Sequence, residues 1–247
     1  MTSVYTTSIA DCLLDLTFVV DSSGSINKDD PTNWDKSLEF VVDVIREFTI
    51  GPNDVQVAFV LFSTEATVEW GFGQYETEED LTDAILGMRY LDGWTNLNDA
   101  LYLTRTVVYA PGGGVREGAL RATIILTDGE DNRPEPGTPL TLQNATLCKE
   151  DGIWLIAVGV TDGVDVDRLH EIISSPSDYY PVDDFDALST IVDDLKSKIC
   201  PEGPPPIQCK FYLIYILRLL SDRHDDHAFL SHLRYCHFLR IYEKFNR

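Results

Sequence analysis

Basic residues are scarce in this chain. Its 247 residues contain 19 Lys and Arg against 41 Asp and Glu, which gives a formal net charge of -22. Non-specific binding to nucleic acid depends on neutralising phosphates with Lys and Arg, and anionic lipid surfaces attract the same side chains. The composition therefore excludes a general nucleic-acid-binding role and attraction to an anionic membrane surface.

Long apolar runs are also missing. The most apolar stretch, Phe211 to Leu217, is followed at once by Arg218, which is far short of the ~20 apolar residues that a membrane-spanning helix needs. Met1 to Ala10 has neither the basic start nor the apolar stretch of a signal peptide. We expect no membrane span. The sequence is then either a fragment of a longer secreted protein or has a misassigned start.

Histidine is nearly absent from the first 206 residues, where His170 stands alone. No Ser/His/Asp arrangement for nucleophilic catalysis stands out as a result. The glycine run Gly112 to Gly114 lacks the strand and helix that surround a phosphate-binding loop. These absences disfavour the common hydrolase and nucleotide-binding classes.

A sharp change of charge divides the chain. Residues 1–206 hold 12 Lys and Arg against 37 Asp and Glu, whereas residues 207–247 hold 7 against 4 and four of the five histidines. The proline-rich segment 201–206 separates them and reads as a semi-rigid spacer. The basic, His-rich tail 207–247 has no readable role. It is either a helical appendage or non-homologous sequence from an altered reading of the gene.

The hydrophobic content of 44% indicates a folded domain, and its pattern indicates the fold class. Apolar runs typical of buried strands alternate with amphipathic runs typical of helices. We predict an α/β fold: a doubly wound, mostly parallel sheet with helices on both faces and one antiparallel edge strand. The predicted strands are 13–20, 55–62, 66–71, 122–127, 153–160 and 179–182; the predicted helices are 34–48, 78–88, 97–108, 141–150, 166–173 and 187–199.

The first predicted strand ends in an oxygen-rich turn. The apolar run Leu16 to Val20 delivers Asp21 to the carboxyl end of a strand, where open α/β sheets bind ligands. Ser23 and Ser25 alternate along the turn that follows. Such hard oxygen donors suit a small hard cation, Mg²⁺ first and Mn²⁺ or Ca²⁺ after it.

Two distant segments supply matching oxygens. Thr95 precedes a predicted helix, and a second apolar strand ends in Thr127-Asp128-Gly129. Together with the D-x-S-x-S run, these segments resemble the metal-ion-dependent adhesion site of a von Willebrand factor type A domain. The resemblance covers roughly residues 12–200, which we take as the domain, with residues 1–11 as an N-terminal lead. The Rossmann-like fold of that family agrees with the predicted sheet.

The resemblance implies different roles for the hydroxyl and carboxylate residues of the site. Ser23, Ser25 and Thr95 would bind the cation directly, while Asp21 and Asp128 would act mostly through bound waters. Neutral hydroxyls leave positive charge on the ion, so an Asp or Glu carboxylate of a protein ligand can take an open position. The implied function is a non-enzymatic, secreted adhesion or matrix-binding module, similar to the A domains of matrilins and type VI collagen.

Other residues are candidates around this site. Trp94, Glu130 and Asp131 are candidates for the ligand-binding face, although a buried packing role for Trp94 fits the sequence equally well. Asn144 begins an N-glycosylation sequon, which is usable only in the secretory route.

Five cysteines leave one or more thiols without a partner. Extracellular members of the family clamp their termini at the positions of Cys12 and Cys200, and the two ends of a doubly wound domain lie near each other. The resemblance thus implies a Cys12–Cys200 disulfide; free thiols in a cytosolic protein are the alternative. Cys148 is predicted to be buried.

Two other functions remain open. One is an intracellular domain of the same family that scaffolds a protein assembly. The other is a Mg²⁺-dependent phosphohydrolase. In the enzymes of this kind that form an aspartyl-phosphate, the aspartate is typically followed two residues later by a second acid, whereas position 23 is Ser.

Overall fold

A six-stranded sheet forms the centre of the protein. The computed structural model describes residues 12–129, 137–161 and 163–200. The strands are β1 Leu14–Asp21, β2 Val55–Phe62, β3 Ala66–Trp70, β4 Leu120–Thr127, β5 Trp154–Val160 and β6 Tyr179–Val182. They lie in the order β3-β2-β1-β4-β5-β6, and only β3 runs antiparallel to its neighbour. The predicted fold class is confirmed.

Strand β1 lies at the centre of the sheet and is buried on both faces. All eight of its residues are buried, as are all eight of β2, and parallel central strands are covered on both faces. Leu14 pairs with Val55 on one side and with Leu120 on the other. The chain winds outward in both directions from β1, so the gap between the carboxyl ends of β1 and β4 is a topological switch point, where ligands bind in such sheets.

Helices cover the sheet on both faces. They are α1 Asn33–Arg46, α2 Glu78–Leu86, α3 Leu97–Leu103, α4 Gly137–Glu150, α5 Val166–Ile172 and α6 Val192–Ile199. Alternate strand residues, such as Ala58, Val60 and Phe62, form one core with buried residues of α3, α4 and α5. Helix α1 packs against α2 and α6. None of the helices in the described ranges is long and apolar enough to cross a membrane.

Two of the predicted helices were wrong in detail. The segment predicted as one helix, 97–108, is α-helical only through Leu103 and continues as a π-helix over Thr104–Val108. The Tyr109 N–H donates to the Thr104 carbonyl five residues back, and the hydrogen bond widens the turn. The last predicted helix begins as a 3₁₀-helix over Phe185–Ile191 before α6.

A buried ion pair fixes the amino ends of the strands. Asp15 of β1 is fully buried, and its carboxylate accepts from the Arg116 Nε at 2.8 Å and from the Arg116 backbone N–H at 2.7 Å. The same guanidinium donates to the carbonyls of Leu14, Pro52 and Asp54. Arg116, which lies four residues before β4, thereby joins the starts of β1 and β2 at the end of the sheet opposite the oxygen-rich turn.

The cysteines behave as the resemblance implies. The compact unit Leu13–Ile199 is flanked in the chain by Cys12 and Cys200, which form a disulfide with their Cα atoms 6.0 Å apart. Cys148 is fully buried as a free thiol. The predicted lead 1–11, linker 201–206 and tail 207–247, with Cys209 and Cys236, lie outside the described residues. The domain boundaries stay predictions.

Candidate functional site

The D-x-S-x-S run forms a tight turn at the end of β1. The Ser23 N–H donates to Asp21 Oδ1 at 2.8 Å, which folds the turn back on the strand end. The hydroxyl oxygens of Ser23 and Ser25 lie 3.0 Å apart. Asp21 and Ser23 are buried, whereas Ser25 is exposed. The turn therefore presents its oxygens in a row that leads from the core to the surface.

Strand β4 brings the second half of the site. The Ser25 hydroxyl donates to Asp128 Oδ1 at 2.7 Å, across 103 residues of sequence. The Thr127 hydroxyl donates to Asp21 Oδ2 at 2.6 Å. Because β1 and β4 are adjacent and parallel, their carboxyl ends place both aspartates at one edge of the sheet. The site lies at the switch point of the fold.

Thr95 approaches the same place from the loop before α3. Its side chain is buried. A Cβ atom built on Gly129 would lie 3.5 Å from the Ser25 hydroxyl and 3.8 Å from the Thr95 hydroxyl, so both hydroxyls border the Thr127-Asp128-Gly129 turn. The neighbouring residue, Asn96, caps α3 by accepting from the Asp99 N–H at 3.2 Å. The structure therefore brings all five predicted oxygen-bearing residues together.

Segment 88–94, which we call the covering loop, lies against the D-x-S-x-S turn. Three hydrogen bonds join the two segments: Tyr90 hydroxyl to Ser23 carbonyl at 2.7 Å, Leu91 N–H to Ser22 hydroxyl at 2.9 Å, and Gly24 N–H to Gly93 carbonyl at 2.9 Å. Gly93 has φ +107°, and a Cβ atom there would lie 2.5 Å from the Thr64 hydroxyl, so this position requires glycine.

The two aspartates lie in an environment that disfavours their charge. Burial, followed by the charge of Asp128, raises the pKa of Asp21 from 3.8 to about 7. Burial also raises the pKa of Asp128, to which the charge of Asp29 contributes. A positive charge placed between the two carboxyl groups would reverse this effect, so the site is electrostatically suited to a cation.

The donor set limits which cations fit. Among residues 12–129, 137–161 and 163–200, no three His, Cys, Asp or Glu side chains are grouped so that they could hold a metal ion. Any cation held here would depend on hydroxyl oxygens beside the two carboxylates. Such oxygens are hard donors, which suit Mg²⁺, Mn²⁺ or Ca²⁺ better than they suit soft metals.

The other residues singled out in the sequence lie outside the cluster of five oxygen-bearing residues or outside the described residues. Trp94 is 52% exposed next to Thr95, which rules out the buried alternative. Glu130 and Asp131 lie outside the described residues. Asn144 is on α4, partly buried, and its amide donates to Asn98 Oδ1 at 2.9 Å. His170 is exposed on α5 and packs against Tyr179.

Several residues of the site were not predicted. Thr127 belongs to the T-D-G motif, but the motif did not predict that its hydroxyl would donate a hydrogen bond to Asp21. Its position next to Asp128 was the only indication that it lies at the site. Tyr90 and Ser22 act on the turn through long-range bonds that leave no local pattern in the sequence.

The fold and site together define a family. The profile of the von Willebrand factor type A domain matches residues 15–194, so the chain belongs to that family. The chain is 33% identical to the collagen alpha-1(XII) chain of Notophthalmus viridescens over 190 residues, which are 75% of this chain and 19% of that one. It is 29% identical to matrilin-1 of Gallus gallus over 199 residues, 80% of this chain and 38% of that one. The chain thus spans well under half of the length of these relatives.

Solved structures agree with this assignment. Proximal thread matrix protein 1 from the mussel byssus, in a structure with a zinc-occupied metal-ion-dependent adhesion site, shares 31% identity and a TM-score of 0.70; the match covers 77% of this chain and 47% of that one. A von Willebrand factor type A protein from Catenulispora acidiphila has a TM-score of 0.61 at 18% identity, which supports the fold alone. Collagens, matrilins and a thread matrix protein are thus among the relatives.

Proposed function

We propose that this domain is a non-enzymatic binding module that captures an Asp or Glu side chain of a protein partner through a divalent cation. The cation would be held by Asp21, Ser23, Ser25, Thr95 and Asp128. The observation that carries the proposal is the continuous contact from Ser23 through Ser25 to Asp128, which joins the ends of β1 and β4.

The spacing of these oxygens favours Mg²⁺. Adjacent ligands of an octahedral ion at about 2.1 Å are about 3.0 Å apart, whereas the corresponding distance for Ca²⁺ at about 2.4 Å is about 3.4 Å. The Ser23 and Ser25 hydroxyls, which would bind the ion directly, are 3.0 Å apart. The spacing of this pair therefore matches the smaller ion. Mn²⁺ is the next best fit, and Ca²⁺ requires the turn to widen.

The raised pKa of Asp21 also supports the binding of a cation at this site. Asp21 is costly to ionise in the buried site, and a bound cation would remove that cost. Two carboxylates neutralise a divalent ion only if both bind it closely. Where they act through waters, the ion keeps positive charge for an external carboxylate, so the proposed chemistry is capture of a ligand.

An extracellular location is part of the proposal. The Cys12–Cys200 disulfide is of the kind that persists in oxidising compartments, and the relatives include collagen chains and matrilin-1. Mass spectrometry of the protein, purified from a secreting host with free thiols blocked and then digested without reductant, should show Cys12 and Cys200 joined by a disulfide. A fully reduced protein from such a host would contradict the extracellular assignment.

Isothermal titration with MgCl₂ tests the metal site. Wild type should bind one ion, and Ser25→Ala should bind at least about tenfold more weakly, since it loses a ligand oxygen. Ser197→Ala, at an exposed serine of α6, is the matched control and should behave as wild type. Identical heats from wild type and Ser25→Ala would overturn the proposed site. Turnover of aryl phosphates that is lost in Asp21→Asn would overturn the non-enzymatic role.

A further inference from the structure

The N-glycosylation sequon lies on the seam between helices α3 and α4. The triplet that begins at Asn144 is the only Asn-x-Ser/Thr in the sequence, and the two helices pack against each other. The Asn144 Nδ2 donates to Asn98 Oδ1 at 2.9 Å. Further along, the Cys148 thiol donates to the Leu101 carbonyl at 3.7 Å. Because the residue numbers rise together along both helices, they run in the same direction, and Asn144 lies beside the first turn of α3.

The hydrogen bond to Asn98 uses one of the two N–H groups of the Asn144 amide. The Asn98 nitrogen donates to Asp99 Oδ1 at 3.3 Å, which turns the Asn98 oxygen toward Asn144. Asn144 is half-buried, and Thr146 two residues later is exposed. N-glycosylation replaces one N–H of an asparagine side chain and leaves the other. The folded chain can therefore hold a glycan at Asn144 and keep the bond to Asn98.

An exposed aromatic side chain lies beside the sequon. Tyr102 is 50% exposed and follows Asn98 by four residues on α3, so the two share one side of the helix. Side chains on a helix lean toward its amino end, so the Tyr102 ring covers the turn that contains Asn98. A sugar attached to Asn144 would begin at this place. The ring of N-acetylglucosamine has an apolar face of C–H groups, and packing that face on the tyrosine ring removes apolar surface from water.

We propose that Asn144 carries an N-linked glycan whose first N-acetylglucosamine packs on the exposed ring of Tyr102. The remaining N–H of Asn144 stays bonded to Asn98, which fixes the root of the glycan at the seam. The inference rests on the extracellular location in the proposed function, because the sequon is used only in the secretory route. It adds a modification site and the surface that the modification covers.

The attachment is a transfer from a lipid-linked oligosaccharide donor. The Asn144 Nδ2 forms a bond to C1 of the first N-acetylglucosamine and gives up one proton. The bond between that C1 and the pyrophosphate oxygen of the donor breaks, and the lipid pyrophosphate leaves with the bonding electrons. The transfer takes place on the unfolded chain as it enters the secretory route, so the half-burial of Asn144 in the folded domain does not prevent it.

The first experiment measures the occupancy of Asn144. The chain is purified from a secreting eukaryotic host with its disulfide intact and digested without reductant. Mass spectrometry then follows before and after treatment with a peptide N-glycosidase. Wild type should carry a glycan that the enzyme removes, Thr146→Ala should lose it, and Thr146→Ser should keep it. Thr190→Ala is the matched control and should be glycosylated like wild type, since Thr190 is also exposed and its hydroxyl also donates to a helical carbonyl.

Two outcomes of this experiment separate the inference from the proposed function. An unmodified Asn144 in a secreted protein whose Cys12 and Cys200 are joined by a disulfide would overturn this inference alone. A fully reduced protein from the same host would overturn the extracellular location and this inference with it.

The second experiment tests the contact with Tyr102. High-mannose glycans are trimmed with an endoglycosidase to the root sugar, whose protons are then observed by NMR. Nuclear Overhauser effects should join the sugar to the Tyr102 ring, and the ring-current shifts of its C–H protons should be lost in Tyr102→Ala. Leu86→Ala, at an exposed residue of α2, is the matched control and should keep them. Identical sugar shifts in wild type and Tyr102→Ala would refute the packing on Tyr102.

The same samples test the hydrogen bond that is kept at the root of the glycan. The remaining side-chain N–H of glycosylated Asn144 should exchange with solvent more slowly in wild type than in Asn98→Ala, because Asn98 accepts from it. Equal exchange rates in the two proteins would refute the retained bond.

Discussion

Replacing Asp21 by Asn should stabilise the metal-free protein, and more so as the pH rises. In the folded chain Asp21 is fully buried, and its pKa is raised from 3.8 to about 7. Asn has the shape of the protonated acid. Its oxygen can accept from the Ser23 N–H, and its amide can donate to the Thr127 hydroxyl. The variant therefore keeps the local contacts and removes the charge.

The direction and size of this pH dependence follow from the pKa of Asp21 in the unfolded chain and in the folded chain. Between pH 3.8 and about 7 the folded carboxyl holds a proton that the unfolded chain has released, so the folded state binds more protons. The free energy of unfolding of wild type therefore falls as pH rises through this range, and the loss is complete above the folded-state pKa. A shift of about three units corresponds to about 4 kcal/mol, of which roughly 3 kcal/mol is lost between pH 5 and pH 8.

Urea unfolding in EDTA, at several pH values from 5 to 8, measures this difference. The free energy of unfolding of Asp21→Asn minus that of wild type should grow by roughly 3 kcal/mol across the series, equivalent to a shift of about 6–12 °C in Tm for a domain of this size. Glu39→Gln, at an exposed residue of α1, controls for the general effect of net charge. A difference that stays constant with pH would refute the argument that burial makes Asp21 costly to ionise.

Three further predictions concern stability. Arg116→Met should lower the free energy of unfolding by about 3–5 kcal/mol in urea unfolding, because it leaves the Asp15 carboxylate buried without its partner; a loss below about 1 kcal/mol would contradict this. Mutating Cys12 and Cys200 to Ser should lower Tm in calorimetry, with a ceiling of about 5 kcal/mol for a bridge that spans 188 residues, and an unchanged Tm would count against a stabilising disulfide. Gly113→Ala should cost more than about 3 kcal/mol, since its Cβ would lie 2.0 Å from a backbone carbonyl; a variant with wild-type stability would show that the loop can shift.

Much of the fold followed from local patterns in the chain. Uninterrupted apolar runs such as Val55–Phe62 predicted strands buried on both faces, and all six strands were placed within two residues of their ends. The π-helix was not predictable in this way. Buried Ala100, Leu101, Thr104 and Val108 recur at the spacing of an ordinary helix, and the wider turn shows only in the hydrogen bond from Tyr109.

The site was predictable only in part, for a related reason. Asp21, Ser23, Ser25 and Asp128 could be predicted because strand ends and turns are local features, and the topology then places those ends together. Tyr90 and Leu91 lie in a loop without periodicity, and their hydrogen bonds join it to a turn more than 60 residues earlier in the chain. The sequence of the loop contains no pattern that predicts which turn it contacts.

The most direct test of the central claim asks whether a cation at this site is open to an external carboxylate. With Mn²⁺ bound, the proton signals of propionate, a mimic of the glutamate side chain, should be broadened far more than those of propionamide. The effect should disappear in Ser25→Ala and persist in Ser197→Ala. Equal broadening of propionate and propionamide, or propionate broadening that survives in Ser25→Ala, would contradict capture of a ligand carboxylate at this site.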